Sequence, residues 1–175
     1  MIIVVTGAMA SGKSTVAQLL AERFERSAHV RGDVFRRFVV GGRAEPTEQM
    51  SSEAQAQLSL RYRLGAASAD AYAEAGFVTI WQDIIVGPYL ADVVGMLRTR
   101  PLFVVVLDPA PEVIAQREHA RNKVGYDTDW DCTGFVETIR STTPRLGLWL
   151  DTSAMTAEQT TQAVLDGLDR AKIPA

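Results

Sequence analysis

Residues 7–14 read Gly-Ala-Met-Ala-Ser-Gly-Lys-Ser, the complete pattern G-x-x-x-x-G-K-[ST]. Its glycines let the backbone curl so that successive N–H groups face inward, which suits phosphate oxygens. A helix that opens directly after the loop adds the partial positive charge of its N-terminus. Lys13 has the reach for β- and γ-phosphates, and the Ser14 hydroxyl suits Mg²⁺. A Gly-rich turn that merely caps a helix is the competing reading; the preceding apolar run Ile2-Ile3-Val4-Val5 argues against it. The chain is therefore expected to bind a nucleoside triphosphate through Gly7, Ala10, Ser11, Gly12, Lys13, Ser14 and Thr15.

Other residues could act on the bound γ-phosphoryl group. Asp33 follows Val30-Arg31-Gly32 at an expected strand end. A carboxylate there can take the proton of an attacking hydroxyl; helix capping is its competing role. Arg36 and Arg37, one turn on, could hold an anionic or polar acceptor group or stand in solvent. Asp83 closes Phe77-Val-Thr-Ile-Trp-Gln, where an acid suits Mg²⁺, directly or through water, or else a turn. Arg117 and Arg121 are four apart on one helical face. They could stack on adenine or neutralise the transferring phosphoryl group, with a solvated face as the alternative. Trp81, Trp130 and Trp149 are expected to be core or loop anchors, and His119 a surface residue.

The elements that must position these residues alternate. Apolar runs over 2–6, 28–31, 77–82, 102–107 and 146–150 predict strands covered on both faces. Amphipathic stretches over 15–26, 34–39, 51–75, 88–99, 111–121, 135–141 and 156–171 predict helices, the last opened by the capping box Thr156-Ala-Glu-Gln159. Strand and helix in alternation predict an α/β fold with a five-stranded, mostly parallel sheet. Ligands of such sheets sit at the carboxyl ends of the strands. The polar segments 40–50 and 122–133, which interrupt the alternation, are thus candidate site-covering loops.

The 175 residues fit one domain, 1–175, and a hydrophobic fraction of 47% fits a globular core. A net charge of −3 lacks the broad basic field of a protein that grips nucleic acid by charge. The one cysteine, Cys132, cannot form an intrachain disulfide and argues for a reducing compartment. No apolar stretch approaches a membrane span, so a soluble, cytoplasmic protein is expected.

Taken in order, the motifs resemble a known family. The phosphate loop comes first, then Gly-Asp-x-x-x-Arg from Gly32 to Arg37. Ala75-Gly-Phe-Val-x-x-x-x-Asp83-x-x-x-Gly-Pro, Arg117-x-x-x-Arg121 and Leu148-Trp-Leu-Asp-Thr-Ser153 follow. This is similar to the small P-loop kinases of the chloramphenicol phosphotransferase-like group, near gluconate and shikimate kinases and the kinase domain of polynucleotide kinase. The resemblance implies a three-layer P-loop NTPase fold of the nucleotide-kinase type, with a helical acceptor region over 35–65 and a lid over 117–133. It implies ATP- and Mg²⁺-dependent transfer of the γ-phosphoryl to a small-molecule hydroxyl. Asp33 would be the general base, and Lys13 and Ser14 would serve the phosphates and the metal. Arg117 would lie near adenine, Arg121 near the phosphates, and Asp151 and Thr152 beside adenine. Arg36, Arg37, Arg61, Arg63 and Asp83 would lie toward the acceptor. Relatives often carry two acids at the end of the third strand; here Gln82 precedes Asp83, leaving the metal to Asp83 with Ser14.

Two alternatives stay open. Arg31, Arg36, Arg37 and Arg43 would suit a polynucleotide 5′-kinase, against the acidic overall balance. A GTP-binding switch would need Asn-Lys-x-Asp, but the chain has Asn122-Lys-Val-Gly125.

Overall fold

The computed structural model describes residues 1–45, 50–119 and 132–174. Five strands form one parallel sheet: β1 (Ile2–Gly7), β2 (Ser27–Arg31), β3 (Val78–Gln82), β4 (Leu102–Leu107) and β5 (Leu148–Leu150). Their order is β2-β3-β1-β4-β5, so β1, which carries the phosphate loop, lies at the centre. All four pairings are parallel.

The apolar runs are continuous because both faces are covered. Alternate residues of β1 and β4 split between two cores, as the two-residue period of a strand requires. Ile2, Val4, Leu102, Val104 and Val106 face one side with Trp81. They meet α3 (Ser52–Glu74) and α4 (Tyr89–Met96), which bring Tyr62, Ala66, Ala69, Leu90 and Val93. Ile3, Val5, Ile80, Phe103, Val105 and Leu107 face the other. They meet α1 (Lys13–Ala21), α7 (Ala157–Asp166) and α8 (Leu168–Ala171). Trp81, fully buried, lies against Gly65 of α3, where a Cβ would come within 2.4 Å of its ring. The tryptophan is thus the core residue expected, and it sets how closely α3 approaches the sheet.

α2 (Asp33–Arg37) follows β2, and α5 (Pro111–His119) and α6 (Cys132–Thr142) pair beside the loop. Ile114, Val136 and Ile139 from that pair cover Ala8 and Ala10 in a third, small core.

Several elements differ from expectation: α4 ends at Met96 rather than residue 99, α6 opens at Cys132 rather than 135, and three further departures have a visible cause. α1 ends at Ala21 rather than residue 26, and the Ala21 carbonyl accepts the Phe24 N–H at 3.2 Å and the Ser27 hydroxyl at 2.6 Å instead of a helical N–H. β5 starts at Leu148 rather than 146. Gly147 has φ +69° and approaches the Val104 carbonyl too closely for any Cβ. The expected last helix divides at Gly167 into α7 and α8.

Candidate active site

The phosphate loop joins the central strand to α1. Ala10 sits at φ 57° and Gly12 at φ 94°, left-handed conformations that turn backbone N–H groups toward a common concavity. Gly7 is required for a different reason: a Cβ there would lie 2.3 Å from the Leu107 carbonyl oxygen. Gly12 occupies the N-cap of α1; its carbonyl takes the Thr15 and Val16 N–H groups at 3.1 Å, while those of Lys13 and Ser14 precede the first intrahelical bonds. Lys13 is 6% exposed, and its ammonium folds back over the loop to donate to the Ala8 carbonyl at 2.5 Å. A buried cation on this loop supplies a fixed positive charge where phosphate would sit.

Beside the loop lies a cavity of about 420 Å³ lined by Ser11, Gly12, Thr15, Arg117, Thr152 and Met155, among others. The Arg117 guanidinium donates to the carbonyls of Ser11 (3.4 Å) and Thr152 (3.2 Å), tying α5 to the loop and to the segment after β5. Arg117 and Thr152, both expected near adenine, thus line one cavity beside the loop. Asp151 is not among the lining residues. Its exposed carboxylate takes the N–H (2.9 Å) and hydroxyl of Ser153, which hold its pKa below the usual carboxylate range. Arg121 lies outside the described residues, as do Asn122, Lys123 and Trp130.

The strand ends on the opposite side carry the acids. Gln82 links them to the loop. Its side-chain oxygen accepts from the Ser14 hydroxyl at 3.2 Å, and its carbonyl accepts the Gly32 N–H at 2.9 Å. Asp33 is the next residue after Gly32. It is in the first turn of α2, with Gly32 at the N-cap, so the capping role is excluded. Its carboxylate is 53% exposed and accepts from Arg37 at 2.9 Å. It also acts on His29, whose ring nitrogen pairs with Gln18 of α1 at 2.9 Å. Burial, then Arg31, lower the His29 pKa to about 4, against the upward pull of Asp33.

Asp83, the expected metal ligand, is paired with Arg61 in this structure. It is fully buried, and both oxygens are taken. Oδ2 accepts from Arg61 Nε at 2.9 Å, and Oδ1 from Arg61 Nη2 and from the Ile84 N–H at 2.7 Å. Burial pushes its carboxyl pKa up, against the charge of Arg61 and Lys13. Gly32 makes room for this carboxylate; a Cβ at Gly32 would overlap Asp83 Oδ2. Next to it, Thr6 bonds both the N–H and the carbonyl of Ile85 at 2.8 Å, fixing β1 to the chain after β3. Tyr62 donates to the Ile84 carbonyl at 2.7 Å. Arg61 therefore grips the sheet rather than offering a free cation. Arg36 likewise pairs with Glu45 at 2.6 Å, and Arg37 with Asp33.

Nothing local to Gln82 marks it as the partner of Ser14, and the acid beside it draws the metal role. The two oxygens, Ser14 Oγ and Gln82 Oε1, are hard donors of the kind Mg²⁺ accepts. Among the described residues no group of three His, Cys, Asp or Glu forms a metal cage. A nucleotide-bound Mg²⁺ takes one or two protein ligands and completes its shell from phosphate and water, so the donor set fits.

The AAA domain family AAA_33 matches residues 2–132, and the chain belongs to that family. No curated protein matches the sequence. Among solved structures, a sugar kinase from Janibacter sp. superposes with TM-score 0.71 at 24% identity, over 97% of this chain and 95% of that one. The APS kinase of Mycobacterium tuberculosis in complex with AMPPNP and APS gives 0.66 at 22%, over 96% of each chain. A gluconokinase from Sinorhizobium meliloti gives 0.60 at 19%, over 96% and 91%. The fold is that of the small P-loop kinases. No helix among the described residues is long and apolar enough to cross a membrane.

Proposed function

We propose that the chain is an ATP-dependent phosphotransferase that moves the γ-phosphoryl to a hydroxyl of a small-molecule acceptor. One observation carries the reading: Gln82 holds Ser14 of the phosphate loop with its side chain and Gly32, the residue before Asp33, with its backbone. A phosphate site and a solvent-reachable carboxylate thus flank one strand end, as transfer to a hydroxyl needs.

In this reading the loop N–H groups and Lys13 bind the triphosphate, and the cavity beside Arg117 and Thr152 takes the base. Bound Mg²⁺ supplies charge neutralisation on the phosphate oxygens; Ser14 holds it and Gln82 orients the Ser14 hydroxyl. Asp33 accepts the acceptor's proton, and Arg37, paired with it at 2.9 Å, orients that carboxylate. Arg121 neutralises charge on the transferring group. Asp83 and Arg61 position the strand end that bears Gln82. Arg37 pairs with Asp33, and Arg36 and Arg43 share Glu45; the net charge of −3 speaks against the polynucleotide reading.

The test is a panel of hydroxyl compounds with ATP and Mg²⁺, scored by ADP release above the acceptor-free rate. The reading predicts acceptor-dependent release that is stronger with ATP than with GTP. Release that no acceptor stimulates contradicts it.

A further inference from the structure

Val136, Ile139, Arg140 and Thr143 are spaced i, i+3, i+4 and i+7, which puts them on one helical face. That face of α6, with the residue just past its end, lies across the strand ends. Val136 and Ile139, both buried, join Ile114 of α5 over Ala8 and Ala10 of the phosphate loop. The Arg140 guanidinium donates from Nε to Asp108 Oδ1 at 2.8 Å and from Nη2 to the Pro109 carbonyl at 3.4 Å. Asp108 follows Leu107, the register partner of Gly7, where the loop begins. The buried Thr143 hydroxyl accepts the Gly87 N–H at 2.7 Å. Gly87 lies two residues past Ile85, which Thr6 of β1 holds. One polar tie thus leads to β4 and the other to the chain after β3, and the apolar residues of the same face rest on the loop.

Ala10 gives this cover its importance. Its φ of 57° is a left-handed conformation that costs any residue with a Cβ. A residue so strained keeps its shape only where its surroundings over-determine it. Ala10 is 3% exposed and is packed in the small core with Ile114, Val136 and Ile139. The left-handed turn there also helps direct the neighbouring N–H groups inward, so phosphate affinity depends on its being held.

We infer that Arg140 and Thr143 are positioning residues for nucleotide binding. By pinning α6 to two strand ends they keep Val136 and Ile139 on Ala10 and hold the phosphate loop in its binding shape. This rests on the proposed function in one respect, that the loop is the phosphate site of the nucleotide. Neither residue lines the cavity beside the loop, and the Arg140 guanidinium is committed to Asp108, so both act through the loop.

Calorimetric titration with AMPPNP and Mg²⁺ reads the loop, and thermal midpoints read the fold. Arg140→Met should weaken nucleotide binding about tenfold at a temperature where the variant is fully folded. Asp108→Ala should weaken it to a similar extent although the arginine remains. Arg140→Lys should recover part of the loss. Thr143→Val strands the Gly87 N–H and should act in the same direction; Arg140 is partly exposed, so its variant keeps the fold whatever Thr143→Val does. Placed in an Ala10→Gly background, where the left-handed turn carries no strain, Arg140→Met should cost less than about threefold. Unchanged nucleotide affinity in Arg140→Met, whatever its midpoint, makes the tie merely structural and overturns the inference. So does a loss confined to Arg140→Met and absent from Asp108→Ala, which would mark a direct contact, or a tenfold loss that persists beside Ala10→Gly. If these effects hold but the chain transfers phosphoryl to no acceptor, the phosphotransferase reading falls and the inference stands. A wild-type chain that binds no AMPPNP overturns both.

Discussion

The two halves of the site are built differently. On the phosphate-loop side the groups are buried and backbone-rich: Lys13 is sealed over the loop, and Arg117 ties three segments around the adjoining cavity. On the acceptor side the wall is a five-residue helix with no buried residue, and its carboxylate and arginines pair at the surface. A buried, preorganised half suits a ligand common to a whole fold. An open half on a short helix suits an acceptor that varies between relatives. The buried Asp83–Arg61 pair is the seam between them, rigid like the first half and placed beneath the second.

The contrast can be broken at graded points. Asp33→Asn should reduce kcat by about 10²–10⁴ while nucleotide affinity is kept, since it removes a positioned base. An Asp33→Asn enzyme with full kcat removes the base from the account. On the nucleotide side, Lys13→Ala should lower turnover by about 10²–10³, the scale of losing one preorganised positive group at the transferring charge. Circular dichroism should show the fold retained.

At the seam, Arg61→Leu should destabilise the fold by about 3–5 kcal/mol, because it strands the Asp83 charge in the interior. Adding Asp83→Leu should recover much of that loss in urea melts, and a double variant no better than the single shows that the pair is not what Arg61 contributes. On the exposed acceptor side, Arg37→Ala should cost less than about 1 kcal/mol of stability, as for a surface ion pair. The smallest effect concerns His29. Its pKa falls to about 4 on folding, from 6.5, so the unfolded chain takes up the proton first. Stability present above pH 6.5 is lost as the pH drops toward 4. Thermal midpoints of His29→Gln should fall less steeply over that interval; parallel curves would remove His29 as a contributor.

Much of the architecture was legible because it rests on local patterns. Uninterrupted runs such as Leu102–Leu107 mean strands covered twice, and both cores confirm it. The phosphate loop was legible for the same reason: its geometry is written in consecutive residues. What stayed hidden depends on distant partners. Arg61 and Asp83 are 22 residues apart on a helix and a strand end, and nothing local marks them as a pair. Gln82 faces Ser14 across 68 residues, while the more conspicuous acid next to it turns inward. Gly147 shortened β5 through a close approach to Val104, a contact between neighbouring strands. The site was readable where one segment makes it and obscure where two segments meet.

The central claim is that the open side delivers a hydroxyl to the buried side. The direct measurement is the fate of label from γ-³²P ATP with an alcohol acceptor and Mg²⁺. The account predicts label on the acceptor oxygen, lost in Asp33→Asn. Label recovered only as inorganic phosphate, at the same rate with and without acceptor, would contradict it.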